Sequence, residues 1–532
     1  MREKAEAQGL DLLVIDTGDR VEGNGLYDSS EPKGVYLSEI LRQQHIDLLS
    51  AGNHELYKGN TSEAEFLITV PNFAGHYVAS NIDIINSTTN GFVPLAPRFK
   101  KFTTPNQGIR IIGFGFIFDF TGNFNNTIVQ PVEDTIKEDW FQETIRDTDV
   151  DLFLVIGHVP VRSKEFDAIF KAIRAINQDI PIQFFGGHLH IRDYARYDPR
   201  AHGLASGRFL ETIGFMSIDN ISTGKRHLDP SESPSFNRRY IDSNLFSFCH
   251  HTGLEKETFP TEHGRNVTAL IQKSRDALQL DEVYGCVPRD LWMFRARYPG
   301  NNSIYTWLEE HVLPSLLRDG SRDRKPALSI VNSGAIRFDI FKGPFTQDTT
   351  YIVSPFTSGF RYVKDVPYGP AKLVVEILNK QPQILSEPPY SARYPVSALA
   401  FPDPAYSGDT LIDDASELHA NQIPLNDYRP KIFPGYTTMD DGGSDGDDTI
   451  HSHISFYQVP NCITALTANN DTVPEMVDLV YIDFIEPHMA LAGRIAGLDV
   501  DFSKDSDVYM PTMTLTSLIR KWVKDNWGCD QV

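Results

Sequence analysis

Four short motifs carry the residue types that could do chemistry. They are Asp16-Thr17-Gly18-Asp19, Gly52-Asn53-His54-Glu55, Gly157-His158 and Gly187-His188-Leu189-His190. A carboxylate has two oxygens and a full negative charge, so it is the natural bridge between two cations. Imidazoles suit zinc, iron and similar ions. A neutral Asn adds an oxygen ligand without over-neutralising the site. Two divalent ions about 3.5–4 Å apart can share a hydroxide and clamp a phosphoryl group. Taken singly, a Gly-Asp is usually a turn and a strand-end His a satisfied polar residue. Four such motifs in series, each just past an apolar run, point to one metal centre.

The elements that must position them alternate. Apolar runs at Leu12–Ile15, Ile46–Leu49, Ile109–Ile117, Leu152–Ile156 and Ile182–Phe185 read as strands, and helical spacing at Val35–Gln44, Val132–Ile145 and Lys164–Ile176 reads as helices. Repeated strand–helix–strand units imply a sheet layered with helices. In such sheets, ligands collect at the carboxyl ends of the strands, where all four motifs fall. The stretch Ser243–Glu262 reads as irregular and Val267–Leu280 as a helix, which places a domain junction there. The spacing predicts a first domain over 1–245, a linker with a helix over 246–283 and a second domain over 284–532. Within the second domain, Glu387–Pro404 is Pro-rich and Asp440–Asp448 is Asp/Gly-rich, and both read as loops.

The chain has 532 residues, with 41% hydrophobic and 23% charged, a globular composition too long for one core. A net charge of −22 argues against a nucleic-acid polymer as partner, which calls for a basic footprint. It leaves room for a small anionic substrate, because a local cation cluster can outweigh a screened acidic surface. No segment reaches the roughly 18 apolar residues of a membrane span. Met1–Leu10 has no apolar signal core. Seven Asn-x-Ser/Thr sequons, at Asn60, Asn86, Asn125, Asn220, Asn266, Asn301 and Asn470, exceed the about three expected by chance and point to the secretory pathway. Cys249, Cys286, Cys462 and Cys529 form no Cys-x-x-Cys pair, which argues against a zinc ribbon. Two disulfides, with three possible connectivities, and four buried thiols both remain open.

Gly-Asp, Gly-Asn-His-Glu, a lone Gly-His and Gly-His-x-His, in that order, resemble the calcineurin-like metallophosphoesterases. The resemblance implies an α/β fold, a four-layer α/β/β/α sandwich, and two divalent ions (Zn, Mn or Fe). By position, Asp19 would bridge both ions. Asn53, His158 and His188 would complete one, and His190 would ligate the other. His54 would face the phosphate as general acid or electrostatic stabiliser, with Asn53 also near the substrate. The family's first motif, Asp-x-His on the first strand, occurs nowhere here. The expectation is therefore a sandwich lacking its first strand, with one ion held only by Asp19 and His190 and the other bound more tightly.

In the second half, Asn332-Ser333-Gly334-Ala335-Ile336-Arg337 follows the apolar run Leu328–Val331, and Ser354-Pro355-Phe356 follows Phe345–Val353. This resembles the C-terminal substrate domain of 5′-nucleotidases, with its Asn-x-Gly-Gly-x-Arg and Pro-Phe motifs. The resemblance implies that Arg337 binds substrate phosphate through its planar fork of donors, that Phe356 stacks on a base and that Asn332 makes a polar substrate contact. Arg337 and Phe356 are expected to face the metal cavity. The loop Asp441–Asp447 resembles the family's Gly-Gly-Asp-Gly-Phe, with Asp447 where a second base-clamping aromatic would stand. The overall pattern is similar to fungal secreted or vacuolar 5′-nucleotidase-like proteins. It implies hydrolysis of phosphate monoesters, nucleoside 5′-monophosphates above all, by a dimetal-activated hydroxide. A phosphodiesterase or sugar-nucleotide hydrolase would use the same metal residues. A non-catalytic ligand-binding glycoprotein is the reading from another class, and metal analysis discriminates it.

Overall fold

The computed structural model describes residues 1–223, 233–319, 322, 325–381, 432–434, 438–450, 455–468 and 473–529. Glu387–Pro404 and Asn470 lie outside them. The fold is mixed α/β in two compact units. The first comprises Met1–Glu22, Ser30–Ser274 and Thr437–Ser452, and the second Gly23–Ser29, Arg275–Tyr436 and His453–Val532.

Among the described residues, the first unit is organised by a seven-stranded sheet. Its order is Thr438–Asp440, Arg192–Asp198, Ala201–Ser206, Ile182–Gly186, Leu152–His158, Arg110–Ile117 and Phe99–Thr103. The three strands Arg110–Ile117, Leu152–His158 and Ile182–Gly186 run parallel. They are apolar on both faces, as strands in the middle of a covered parallel sheet must be. Ile112, Phe114, Phe153, Val155 and Phe184 enter one core cluster; Ile111, Leu152, Leu154 and Ile156 enter another. The helix Lys164–Ile176 closes the first face. Ser163 caps it by accepting from the Phe166 N–H, Glu165 and Asp167 lie in its first turn, and Arg174 lies in its last. Its Phe166, Ile169 and Ile173 are fully buried, each stabilising the fold by about 2 kcal/mol. Ile15–Asp16 pairs in parallel with Leu48–Leu49, so two of the motif loops leave adjacent strands.

Two local expectations are corrected. Val132–Ile145 is not one helix but two, Val132–Thr135 and Asp139–Thr144, because Glu138 adopts an extended conformation between them. The Ser243–Glu262 stretch contains a helix, Leu245–Thr252. Asn244 caps its start by accepting from the Ser247 N–H, and Gly253 ends it in the left-handed conformation.

The second unit has a five-stranded sheet ordered Cys462–Thr467, Ala327–Asn332, Met476–Ile482, Gly359–Pro367 and Asp507–Thr514. Ala327–Asn332 is wholly buried. Cys286 and Cys529 form a disulfide with a Cα separation of 4.8 Å, while Cys249 and Cys462 are free thiols. Of the two cysteine readings left open by the sequence, neither holds in full.

Candidate metal centre

The Asp19 and Asn53 loops interlock before any side chain is considered. Gly18 has φ +91°, and a Cβ there would lie 2.2 Å from the Gly52 nitrogen. A Cβ on Gly52 would lie 2.1 Å from Asp19 Oδ1. Only glycine permits so close an approach of two strand-end turns. Glu55, fully buried, ties them together: its carboxylate accepts from the backbone N–H groups of Gly52 at 2.6 Å, Asp19 at 2.8 Å and Arg20 at 2.7 Å. Behind it, Arg20 pairs with Asp16 and Glu65, donates to the Ser50 carbonyl and lies over the Tyr77 ring. Asp19, His188 and His190 all hold positive φ values, 60°, 75° and 60°, a backbone strain typical of functional sites.

These loops bring Asp19, His158 and His188 together, with one ligand atom from each lying within 4.8 Å of the others. His158 Nε2 is 2.8 Å from Asp19 Oδ2 and 3.3 Å from His188 Nδ1, and the two imidazole rings are centred 5.1 Å apart. His158 Nδ1 lies 3.0 Å from the Thr17 carbonyl. A carbonyl can only accept, so Nδ1 carries the proton and Nε2 presents a lone pair to the centre. Burial disfavours the Asp19 carboxylate, yet His158 and His54 hold it well below the usual carboxylate range. Burial likewise opposes charge on His158, and Asp19 outweighs it and pushes the imidazole up.

Asn53 is buried. Its amide donates to the Tyr57 hydroxyl at 2.9 Å, and its Oδ1 has no hydrogen-bond partner among the described residues. A buried carbonyl oxygen without a donor is free to ligate a cation. A carboxylate, imidazoles and such an amide oxygen are a donor set that suits a divalent metal. His190 is not one of the three converging groups; its ring lies edge-on to Phe209, with centroids 5.5 Å apart.

His54 donates its backbone N–H to Asp19 Oδ1 at 3.0 Å, and its Nε2 is 4.0 Å from Asp19 Oδ2. Its Nδ1 is 2.8 Å from Glu22 Oε2, and Lys58 holds the other Glu22 oxygen at 2.7 Å. Burial raises the Glu22 carboxyl, but the hydrogen bonds and charges of His54 and Lys58 bring it down to about 2. An ionised Glu22 therefore orients His54 with Nε2 toward the centre. Sequence reasoning missed Glu22, Lys58 and the part played by Glu55. Glu55 sits inside a recognised motif, but Glu22 has no local signal.

In the second unit, Asn332 ends its strand buried, and Arg337 and Phe356 lie together, half-buried, with the guanidinium carbon 5.7 Å from the ring centre. The Arg337 N–H donates to the Val353 carbonyl at 2.8 Å, and Thr516 Oγ1 donates to the Phe356 carbonyl at 2.8 Å, which fixes the backbone beneath both. Asp447 offers no face to a base. Its side chain is buried, with its carboxylate 3.4 Å from the buried Arg192 guanidinium. Its loop is pinned to other residues of the first unit, by charge from Asp440 and Asp445 to Arg238 and from Asp441 to Arg162, and by a 2.6 Å hydrogen bond between Asp448 and His251. At the position where a second base-clamping aromatic would stand, Asp447 makes a structural ion pair with Arg192.

The calcineurin-like phosphoesterase family model matches residues 2–192, and the model of the NAD nucleotidase C-terminal domain matches residues 290–490. An uncharacterized protein of Schizosaccharomyces pombe is 35% identical over 548 residues, covering 99% of this chain and 83% of the relative. A secreted protein of Arthroderma benhamiae is 33% identical over 586 residues, covering 99% of this chain and 85% of the relative. The crystal structure of a 5′-nucleotidase from Candida albicans superposes with a TM-score of 0.81 at 35% identity, covering 98% of this chain and 91% of that one. A 5′-nucleotidase precursor from Thermus thermophilus, at 12% identity and a TM-score of 0.57, shares the fold.

Proposed function

This chain belongs to the calcineurin-like metallophosphoesterase family in its 5′-nucleotidase form and is a hydrolase of phosphoester bonds, and we propose that its substrates are nucleoside 5′-monophosphates. The observation that carries this reading is the convergence of Asp19, His158 and His188, with His54 held against Asp19 and backed by Glu22. Asp19, Asn53, His158 and His188 would hold one divalent ion, and Asp19 with His190 a second. Such ions supply Lewis-acid stabilisation of phosphoryl oxygens and make water a better nucleophile.

The chain's own residues do the rest. His54, with Nδ1 engaged by Glu22, delivers a proton from Nε2 to the departing ribose oxygen. Glu22 stabilises the charged imidazole before transfer and fixes its orientation. Arg337 neutralises phosphate charge with paired donors, and Phe356 stacks on the base. Asn332 completes the polar contacts. The seven sequons, the Cys286–Cys529 disulfide and the secreted relative support a secretory-pathway protein, vacuolar or extracellular, because disulfides persist in oxidising compartments.

The test is a metal assay together with a substrate panel of nucleoside monophosphates, a sugar nucleotide, NAD and a phosphodiester. One or two divalent ions per chain and fastest turnover of a nucleoside monophosphate are expected. His54→Ala should lower kcat about 10²–10⁴-fold for alkyl esters and much less for aryl esters, whose leaving groups need no proton. Faster turnover of the diester or of NAD would reassign the substrate. Absence of bound metal would end the reading.

A further inference from the structure

The turn between the strands Ala201–Ser206 and Thr212–Asp219 breaks a strong local rule. The Glu211 N–H donates to the Arg208 carbonyl at 2.9 Å, closing a tight turn whose two central residues are Phe209, at φ 52°, and Leu210, at φ 54°. Two successive left-handed residues are the mark of a turn that favours Asn-Gly or Asp-Gly. A bulky Phe and a branched Leu are strained at both positions. Neither is compensated by burial, since Phe209 is 52% and Leu210 86% exposed. The sequence thus accepts backbone strain in order to place two apolar side chains in water.

The place is specific. The Phe209 ring lies edge-on to His190, one of the proposed metal ligands, with centroids 5.5 Å apart and planes at 61°. The Arg208 guanidinium carbon lies 4.8 Å from the Phe209 ring centre, and Arg208 is 3.7 Å from Glu211 across the same turn. Phe209 is therefore flanked by a cation over its ring and by the tilted His190 imidazole, while Leu210 is the more exposed of the pair. Local rules are broken chiefly where function requires it.

We propose that the Phe209–Leu210 tip is a specificity element that packs against a planar, aromatic leaving group, such as a nucleobase, of an ester whose phosphoryl end is engaged beside His190. The proposal rests on the phosphoesterase reading above. It gives the first unit an aromatic contact of its own, which the Asp441–Asp447 loop does not supply. An aromatic face suits any base and discriminates poorly among them. It separates base-bearing esters from small polyol phosphates.

The test replaces the tip with residues that the turn itself prefers, Phe209→Asn with Leu210→Gly, so that folding is not at risk. Turnover is measured on AMP and on glycerol phosphate, which has no base, and adenosine binding is measured by calorimetry as a readout independent of turnover. The expected result is a KM for AMP raised roughly 5- to 150-fold, the range of one lost stacking contact. The KM for glycerol phosphate and both kcat values should stay within about twofold, adenosine binding should weaken in parallel, and Tm should not fall. An equal change for both esters, or no change for either, would overturn the proposal, as would a fall in Tm that accompanies the loss. If the parent chain hydrolyses neither ester, the phosphoesterase reading fails, and adenosine binding then decides the tip: equal affinity in parent and variant, or none in the parent, overturns it.

Discussion

The metal-site loops of the first unit and the Asn332–Arg337–Phe356 segment of the second are built on different principles. In the first, the backbone turns and the imidazoles of His54 and His158 are fixed by buried hydrogen bonds before substrate arrives. Glu55 ties two turns by three backbone donors, Glu22 fixes His54, and Thr17 fixes the His158 tautomer. In the second, the backbone beneath Arg337 and Phe356 is pinned, but the two half-buried side chains rest on one another through a cation–π contact at 5.7 Å. Groups that must meet a metal need their geometry set in advance, because a displacement near 1 Å can cost about 10²-fold in rate. Groups that recognise a substrate can be adaptable. Damage to the first region should therefore be all-or-none and reach the fold, whereas damage to the second should appear as a graded change in KM.

The largest effect should come from Glu55→Ala, which strips the acceptor from three backbone N–H groups and leaves Arg20 with one carboxylate fewer nearby. Denaturant unfolding should show a loss of about 3–5 kcal/mol, with metal binding lost as well. A loss below about 1 kcal/mol would remove the contrast between the regions. Asp19→Asn keeps the shape of the site but removes its charge. Bound metal should drop, and phosphatase activity should fall by more than about 100-fold, with Tm changing little beyond the contribution of the metal. Arg337→Ala should raise KM for nucleoside monophosphates about tenfold at unchanged metal content, and Phe356→Ala should raise it less. If Arg337→Ala instead abolished metal binding, the division of labour drawn here would be wrong.

The smallest effect concerns pH. His202 is stacked on Phe236 with ring centres 4.0 Å apart, its Nδ1 is 2.5 Å from the Tyr194 hydroxyl, and burial lowers its pKa to about 4. In the unfolded chain the imidazole titrates near 6.5. Between these values the unfolded state holds more protons, so stability is lost as pH falls from about 6.5 toward about 4. Thermal melts of the parent at pH 7 and pH 5 should differ by more than those of His202→Phe. Equal differences would show that His202 is already charged in the folded protein.

Much of the fold was legible because strands and helices here follow their periodicities closely. The helix Lys164–Ile176 forms over the residues whose spacing predicts it, and the central strands match apolar runs. The helix Leu245–Thr252 escaped because its Asn244 cap and Gly253 stop flank only eight residues, too few for a periodic signal. The break at Glu138 escaped because the apolar spacing continues through it.

The sequence by itself marked the candidate ligands, an Asp, an Asn and three His, each placed just after an apolar run, and the structure gathers Asp19, His158 and His188 of them. Strand ends are set by local hydrophobic pattern, and a turn's residues travel with its strand. Tertiary structure alone decided who supports whom. Glu22 reaches His54 from 32 residues away, Glu55 reaches back to Asp19 and Arg20, and the Asp440–Asp448 loop is drawn onto a sheet built from residues more than 200 positions earlier. Ion pairs and hydrogen bonds form between whatever groups the core brings within about 3 Å of each other, and no local periodicity encodes that distance.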